Sequence, residues 1–306
     1  MHFDGEPGFS AASRQHVAVM VDEVVRLVRA CKPGLIVDAT IGTGGHAERI
    51  LEETGSRLLG IDRDDAALRV AAERLGRFGS RVALHQADFG DLDLVLEQAG
   101  SPTANAIIAD LGMSSFALDD AERGFSFATD GPLDMRMDRR QKLRAYDIVN
   151  EESEDELARI LRDLGEEHAA RQIAHAIVSA RRHHPLETTG ELSLVVRSAV
   201  GGRRLGAISP ATRTFQALRI AVNRELESLA GLLAKAPRRL SAGGRMVVLA
   251  YHSLEDRPVK QCFRELAKTQ EFILISRKAM RPDPDEVATN RRSRSARLRC
   301  IERVSG

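Results

Sequence analysis

The sequence predicts an α/β protein built on a parallel sheet, into which an all-helical domain is inserted. Over the first third of the chain, short apolar runs alternate with helical patterns, which is the order of β-α-β units. From about Ala145 to Val200 only helical periodicity is present, and strand patterns resume after it. We therefore expect one α/β domain formed by residues 1–138 and 209–306, interrupted by a helical domain at residues 139–208.

The first part is predicted to contain four parallel strands separated by helices. These strands are expected at Leu35–Ile41, Arg57–Asp64, Arg81–Phe89 and Asn105–Met113. In the helical domain, Thr188 followed by Glu191 has the spacing of a capping box, in which two side chains satisfy the free N–H groups at a helix start.

The third part is predicted to begin with a long helix and to end in strands. After the connection "GGRRLGAISP", apolar residues share one face of a helix from about Ala211 to Leu233. The segment Gly243–Ser253 reads as a strand entered through glycines. The segments "FILISRK" and "ARLRCIERV" are expected to pair as a closing hairpin.

Composition limits the classes of protein this chain can belong to. Its 306 residues are 43% hydrophobic, enough for a substantial core, and its formal net charge is only +1. Any contact with nucleic acid must therefore come from local basic patches. Cys31, Cys262 and Cys300 are too scattered for a disulfide framework or a zinc finger, which favours a reducing cytoplasm. The first ten residues lack the apolar segment of a signal peptide, so we expect neither export nor membrane insertion.

The stretch "VDATIGTGGHAERI", residues 37–50, predicts a strand end, a glycine-rich turn and a helix start. Gly42, Gly44 and Ala47 satisfy the pattern G-x-G-x-x-A, and Asp62 closes the next predicted strand 17 residues after Gly45. Glycines let a ligand approach the backbone, and the acidic residue can accept hydrogen bonds from ribose hydroxyls. The pattern fits a dinucleotide, a nucleotide phosphate or S-adenosylmethionine, and a turn that serves only packing is the alternative.

Asp38 separates these candidates because it precedes Gly42 by four residues, where a dinucleotide site would bring a pyrophosphate. A carboxylate at this place suits a cation better than a phosphate. S-adenosylmethionine carries an α-ammonium and a sulfonium and has no phosphate. Asp38 therefore favours S-adenosylmethionine, with a turn or cap carboxylate as the structural alternative.

Two further carboxylates end the third and fourth predicted strands. In an open α/β sheet, ligands lie across the carboxyl ends of the strands. We expect Asp88 to meet the exocyclic amine of an adenine, or its neighbour Phe89 to cover the ring. Asp110 is expected to face the place where cofactor and substrate meet. Each carboxylate alone could be an ordinary strand-end residue, but four strand ends carry one.

The stretch "DLGMSSFALDDAERGFSFATDGPLDMRMD", residues 110–138, resembles the RsmH (MraW) family. Members of this family are bacterial S-adenosylmethionine-dependent methyltransferases that modify N4 of a cytidine in 16S ribosomal RNA of the small subunit. Similar motifs recur along nearly the whole chain, among them "HVAVMVDEVV", "GEEHAARQIAHAIV", "PATRTFQALRIAVNRELESL" and "GGRMVVLAYHSLEDRPVK". The resemblance implies a Rossmann-like methyltransferase domain with a helical insertion.

By matching motif, the resemblance also implies which residues bind the cofactor. They are Gly44, Gly45, His46, Asp62, Phe89 and Asp110. The family usually reads S-S-x-Q-L-D-D where this chain has "SSFALDD", so Ala117 replaces a glutamine. Backbone or water must then substitute for one side-chain contact to the cofactor.

Methyl transfer to a cytosine amine places two demands on the protein. The amine lone pair is delocalised into the ring, so transfer needs in-line placement and an acceptor for the amine hydrogen. Asp110 is the expected acceptor, with anchoring of the amino-acid end of the cofactor as its alternative role. His252 and Ser253 are second-rank candidates, and a purely structural role is the favoured alternative for His252. Because a paired base cannot reach such a site, Phe125 and Phe127 are candidates for stacking on a displaced base or, alternatively, for the core.

Basic clusters are candidates for contacts with RNA phosphates. They are Arg139, Arg140, Lys142 and Arg144; Arg181 and Arg182; Arg203 and Arg204; and Arg291, Arg292, Arg294, Arg297 and Arg299. The alternating Asp134, Arg136 and Asp138 could instead form a local salt-bridge ladder. The expected partner is small-subunit ribosomal RNA within a ribosomal particle; a homodimer is allowed, and no metal site is expected. The competing functions are an NAD-linked dehydrogenase and a non-catalytic RNA-binding protein.

Overall fold

The structure, a computed structural model, describes residues 18–201 and 210–304. Within them, seven strands form one sheet. The strands are β1 (Leu35–Asp38), β2 (Arg57–Asp62), β3 (Val82–Gln86), β4 (Ala104–Asp110), β5 (Leu240–Ala250), β6 (Phe272–Leu274) and β7 (Arg297–Arg303). The α/β class is therefore confirmed, and the four strands expected in the first part are β1 to β4.

The order of the strands is β3-β2-β1-β4-β5-β7-β6. Strands β1 to β5 are parallel, whereas β7 is antiparallel to both of its neighbours. Chain order reverses between β1 and β4, and a crevice opens at the carboxyl ends of the strands at such a point. The predicted pairing of the two last strands is confirmed, although β6 is only three residues long and a helix lies in the connection between them.

Helices cover both faces of the sheet and also form a separate helical part. In chain order they are α1 (Val21–Arg29), α2 (Gly45–Glu53), α3 (Asp65–Leu75), α4 (Leu92–Gln98), α5 (Ser115–Asp119), α6 (Ala145–Glu151), α7 (Glu154–Gly165), α8 (Ala170–Arg181), α9 (Thr189–Ala199), α10 (Pro210–Asn223), α11 (Glu225–Lys235), α12 (Ser253–Leu266) and α13 (Pro284–Thr289). Helix α1 packs on one face of the sheet, and α4, α11 and α12 pack on the other. Every one of these described helices is too short or too polar to cross a membrane.

The helical part is built from α6 to α9 together with α10. The expected capping box is present, because Thr188 Oγ1 accepts from the Glu191 N–H at 3.3 Å and Glu191 accepts from the Thr188 N–H at 3.2 Å. The apolar core of this part also contains Phe125, Leu133 and much of α10. Its packing therefore extends beyond residues 139–208 on both sides, and those limits stay a prediction. Residues 202–209, with Arg203 and Arg204, lie outside the described residues, as do residues 1–17.

The single helix expected over Ala211–Leu233 is wrong, because α10 and α11 are separate. Arg224 lies between them in the left-handed conformation, with φ of 52°. Asn223 holds the break in place: its Oδ1 accepts from the Met137 N–H, and its Nδ2 donates to Met135 O, both at 2.7 Å. Apolar spacing continues through both helices, so periodicity alone did not reveal the break.

Candidate active site

The glycine turn connects β1 to α2 at the carboxyl edge of the sheet. Gly42 and Gly44 have φ of 51° and 83°, a region that side chains with a Cβ rarely adopt. The Gly42 N–H donates to Asp62 Oδ2 at 2.8 Å, which joins the turn to the end of β2. A Cβ on Gly42 would have only Thr40 O within 4 Å among the described residues. The turn therefore needs glycine at positions 42 and 44 for its conformation. The space beside Gly42 is open, whereas a Cβ on Gly44 would meet the Leu75 side chain.

Three carboxylates gather at this edge, and we call Asp38, Asp62 and Asp110 the acidic cluster. Burial raises the pKa of Asp38 to about 6; His46 opposes this rise, and the charges of Asp110 and Asp62 add to it. Burial also raises the pKa of Asp62 to about 6, despite the N–H groups of Asp64 and Gly42 that donate to it. Carboxylates that are costly to ionise together are stabilised by a bound cation.

His46 connects the cluster to the chain before α1. Its ring is 6% exposed, and Nε2 lies 2.9 Å from Val19 O. A carbonyl oxygen only accepts, so Nε2 carries the hydrogen and Nδ1 of the neutral ring is an acceptor. Nδ1 lies 3.9 Å from Asp110 Oδ2, another acceptor. This pair of facing acceptors is satisfied by a proton on the ring or by a ligand donor placed beside both.

Asp110 is held from three sides. Its N–H donates to Thr40 Oγ1 at 2.7 Å, and its Oδ1 accepts from the Gly112 N–H at 3.0 Å. Tyr251, directly after β5, lies beside the carboxylate: a Cβ on Gly112 would meet both the Tyr251 ring and Asp110 Oδ1. Burial and the interaction with Asp110 raise the pKa of Tyr251, so the phenol stays protonated and faces Asp110 as a donor. Asp110 is thus fixed in orientation, while its side chain remains 20% exposed.

Tyr251 is the site residue that sequence reasoning missed. The available signal was an aromatic residue at the end of β5, in "LAYHS", because β5 pairs with β4 and Leu249 lies opposite Asp110. The sequence-based candidates were instead the next two residues, His252 and Ser253. Nε2 of His252 lies 2.9 Å from Glu255 Oε1, and Ser253 donates to Glu166 of the helical part. Neither makes a hydrogen bond or ion pair with the acidic cluster in the part of the chain that the structure describes.

Asp88 and Phe89 lie beyond β3, near Asp62. Asp88 Oδ1 accepts from the Gly90 N–H at 2.7 Å, and Oδ2 accepts from Ser228 at 2.7 Å and from Arg63. The same Arg63 guanidinium lies 5.7 Å from the centre of the Phe89 ring. Oδ2 of Asp88 already accepts two hydrogen bonds, whereas Oδ1 accepts one and retains a lone pair, so both Asp88 and Phe89 are placed to contact a cofactor ring.

The candidate stacking residues Phe125 and Phe127 belong to the helical part. Phe125 is 7% exposed and lies in its core. Phe127 meets Phe215 edge to face at 4.9 Å between ring centres. Phe125 is therefore a core residue, whereas Phe127 packs on the core but is only partly buried, and base stacking by Phe127 stays a prediction. Asp134 also forms a two-point ion pair with Arg136, at 2.8 and 2.7 Å, as in the salt-bridge alternative.

The predicted basic clusters divide into exposed and engaged residues. Arg291 and Arg294 are exposed, whereas Arg297 and Arg299 turn inward and pair with Asp256. Arg181 donates to backbone carbonyls of Val149 and Glu152. In the described part of the chain, no group of three or more His, Cys, Asp or Glu residues is arranged to hold a metal ion.

The strand order, the glycine turn and the acid that closes β2 are typical of a Rossmann-like enzyme that binds an adenosine cofactor. The acidic cluster fits the cationic amino-acid end of S-adenosylmethionine better than it fits a pyrophosphate. The chain is thus an S-adenosylmethionine-dependent methyltransferase. Residues 13–304 match the profile of the MraW methylase family. The chain belongs to this family.

Curated relatives agree with that assignment. Three proteins named ribosomal RNA small subunit methyltransferase H are similar over nearly the whole chain. The Sorangium cellulosum protein is 44% identical, covering 95% of this chain and 92% of its own. The Cutibacterium acnes protein is 46% identical, covering 94% and 92%. The Syntrophotalea carbinolica protein is also 46% identical, covering 95% and 98%.

Proposed function

We propose that this protein methylates small-subunit ribosomal RNA, and that the acceptor is the N4 amine of a cytidine in 16S RNA. Family membership and the name shared by the relatives support the RNA substrate. The choice of N4 rests on the family resemblance of residues 110–138. The observation that carries the chemistry is Asp110, a partly exposed carboxylate fixed by Thr40, Gly112 and Tyr251 where β1 and β4 separate.

The residues at the edge of the sheet fit S-adenosylmethionine. Asp62 would accept the ribose hydroxyls, since each of its oxygens accepts one backbone N–H and retains a second lone pair. Phe89 would lie against the adenine. Asp38 and His46 would hold the cationic amino-acid end, which reduces the repulsion within the acidic cluster. When bound, the cofactor supplies a methyl group already activated on a sulfonium.

The protein then contributes position and proton acceptance. Asp110 accepts a hydrogen of the cytosine amine, which raises electron density on the nitrogen as it reacts. The Gly112 N–H occupies one lone pair of Asp110 Oδ1, and the protonated phenol of Tyr251 lies beside the same carboxylate, so both restrict the directions from which Asp110 can accept. A cytosine within a helix cannot reach a carboxylate at this depth, so the target base must be unpaired or displaced from its stack.

The two rival functions have less support from the site. An NAD-linked dehydrogenase would place a pyrophosphate beside Asp38, a carboxylate that is 2% exposed. A non-catalytic RNA-binding protein would not need carboxylates whose burial raises their pKa to about 6. We also propose a cytoplasmic location, supported by three free cysteines, and an assembled ribosomal particle as the substrate. A homodimer remains a proposal that analytical ultracentrifugation tests.

The experiment is methyl transfer from labelled S-adenosylmethionine to small ribosomal subunits and to naked 16S RNA, followed by nucleoside mass spectrometry. We expect N4-methylcytidine, and faster transfer to the particle. Ribosomal RNA from cells that lack the protein serves as the unmethylated substrate. Label on C5 of cytosine or on a ribose 2′ oxygen would overturn the proposed reaction.

A further inference from the structure

A cleft of about 350 Å³ opens between α12, residues 277–281 and β7. Seven cationic side chains and one carboxylate line it, in a protein whose net charge is only +1. We call it the basic cleft. It lies outside the acidic cluster, and of its cations only Arg297 and Arg299 belong to a basic cluster identified from the sequence.

Three separate segments supply these charges. Asp256, Lys260 and Arg264 are four residues apart on α12 and therefore share one face of the helix. Arg297 and Arg299 alternate along β7 and project to the face of the sheet that α12 covers. The segment 277–281 runs beside β7, to which Met280 is joined by two backbone hydrogen bonds with Leu298.

The floor of the cleft is ordered. Arg299 Nε donates to Asp256 Oδ1 at 2.7 Å, and Arg297 donates to Oδ2 at 3.2 Å. Burial opposes ionisation of Asp256, but these two arginines outweigh it and lower its pKa. The one carboxylate is thus already shared by two cations. Nε of Arg297 is buried without a hydrogen-bond partner among the described residues.

Of the five remaining cations, Arg281 donates to the backbone oxygen of Ala296, and the other four have no acidic partner among the described residues. Lys260, Arg264, Arg277 and Lys278 lie more than 4 Å from every carboxylate in the described ranges 18–201 and 210–304. Elsewhere on the surface, arginines such as Arg77 and Arg159 pair with glutamates. A concentration of unpaired like charges repels itself and raises the local concentration of anions. The basic cleft is therefore suited to an anionic ligand.

The position of the cleft indicates which anion it takes. Arg297 pairs with Ala250, the residue before Tyr251, so the cleft begins at the same edge of the sheet as Asp110. Lys260 lies seven residues into α12, about 10 Å further along the helix axis. Cations spread over three segments exceed what one phosphate group can pair with, but they match the repeating charge of a nucleic acid backbone.

We propose that the basic cleft binds backbone phosphates of the RNA strand that flanks the methylated nucleotide. The proposal rests on RNA being the substrate, as proposed above. The cleft would hold the strand while the target base turns toward Asp110. Because phosphate contacts position a strand without reading its sequence, the cleft contributes affinity and register rather than choice of base.

The test is the triple substitution Arg264→Gln, Arg277→Gln and Lys278→Gln, which leaves the paired floor of the cleft intact. The matched control is Arg26→Gln with Arg29→Gln on α1, exposed residues on the opposite face of the sheet. Binding of a 16S RNA fragment is measured over a series of salt concentrations. We expect weaker binding at low salt and a log–log salt slope smaller by about two units, given about 0.7 per phosphate contact on a single strand. The control should leave the slope unchanged.

Further measurements keep the outcomes distinct. Affinity for S-adenosylhomocysteine should not change in the triple variant, and kcat at saturating RNA should be retained while KM rises. If the triple variant is unstable, the single variant Lys278→Gln, at an exposed side chain, replaces it, and we expect a smaller change in the salt slope. An unchanged slope in both, or an equal loss in the control, would overturn the proposal. The proposal would also fail if millimolar inorganic phosphate bound to the cleft without weakening RNA binding, since the cleft would then hold a small anion rather than the RNA backbone. If the cleft affects RNA binding but no N4-methylcytidine forms, only the proposed reaction fails.

Discussion

The acidic cluster and the basic cleft begin at the same edge of the sheet, but the charges of the cluster are negative and largely buried, whereas those of the cleft are positive and mostly exposed. Asp38 of the cluster is 2% exposed, and burial raises the pKa of Asp38 and Asp62 to about 6. In the basic cleft, Arg264, Arg277 and Lys278 are exposed. Buried charges demand a specific partner held at short range, whereas exposed charges act at longer range and are screened by salt. The cluster is therefore suited to a small cation, and the cleft to a long polyanion.

Tyr251 lies between these two regions. It follows β5, lies beside Asp110 on one side, and is next to Ala250, which pairs with Arg297 of the cleft. The separation predicts that substitutions in one region change binding of one ligand and leave the other unaffected. Four experiments test this difference, in order of decreasing expected effect.

The largest effect is expected for Asp110→Asn. If Asp110 accepts the amine hydrogen, single-turnover methyl transfer should slow by roughly tenfold to ten-thousandfold, while most cofactor affinity is retained. Rapid-quench assays at saturating cofactor and RNA measure the rate. If raising the cofactor concentration restores the rate, Asp110 is only an anchor for the cofactor. RNA binding should not change. A loss of RNA binding would show that the acidic cluster and the basic cleft do not bind their ligands independently.

Asp62→Ala should weaken cofactor binding by about 1.5–3 kcal/mol, the range for hydrogen bonds to a charged group. Asp62 accepts from Gly42 and Asp64, so part of the loss would come from a loosened glycine turn. Titration calorimetry with S-adenosylhomocysteine measures the affinity. Asp65→Ala, an exposed aspartate on α3, is the matched control and should bind normally. Equal affinity for the two variants would refute the assignment of Asp62.

Cofactor affinity should depend on pH through Asp38 and Asp62. Their folded-state pKa of about 6 lies above the ordinary 3.8, so the free protein loses stability as pH rises from about 4 to 6. A cation binds better once the carboxylates are ionised. Affinity for S-adenosylhomocysteine, which keeps the ammonium, should fall about tenfold from pH 7 to pH 5 for each carboxylate involved. RNA binding through guanidinium groups should stay flat over this range, and a parallel fall would remove the contrast.

The smallest effect is expected for Tyr251→Phe, which removes the phenol hydroxyl beside Asp110 and keeps the ring. The loss of one interaction that orients Asp110, about 0.5–1.5 kcal/mol, should reduce kcat about two- to tenfold and leave KM for RNA unchanged. The other tyrosine of the chain, Tyr146, lies in the helical part, so Tyr146→Phe is the control. A rise in KM without a change in kcat would instead place Tyr251 in RNA binding.

The acidic cluster could be predicted from the sequence, whereas the basic cleft could not. Asp38, Asp62 and Asp110 could be placed together from the sequence because each ends a predicted parallel strand, and such ends meet at one edge of a sheet. The glycine turn could also be recognised from a few consecutive residues. By contrast, the basic cleft combines α12, residues 277–281 and β7, segments that no periodicity connects. Arg297 and Arg299 appeared to continue the exposed run of Arg291 and Arg294 until the structure paired them with Asp256.

The helical part shows the same limit. Its helices were evident from apolar spacing, but its core also takes in Phe125 and α10. A linker replacing only residues 145–207 would therefore expose apolar surface on α10 rather than remove an independent unit. The break at Arg224 depends on hydrogen bonds from Asn223 to residues 135 and 137, nearly ninety positions earlier.

The sequence alone determined the α/β class, the edge of the sheet that carries the site, and the carboxylates that favour a cationic cofactor. Those features depend on strand and turn signals a few residues long. Only the tertiary structure decided that Tyr251 rather than His252 contacts Asp110, that Phe127 packs on Phe215, and that unpaired cations gather in the basic cleft. The physical reason is that a side chain's partner, and therefore its free charge or exposed face, is set by contacts between segments far apart in the chain.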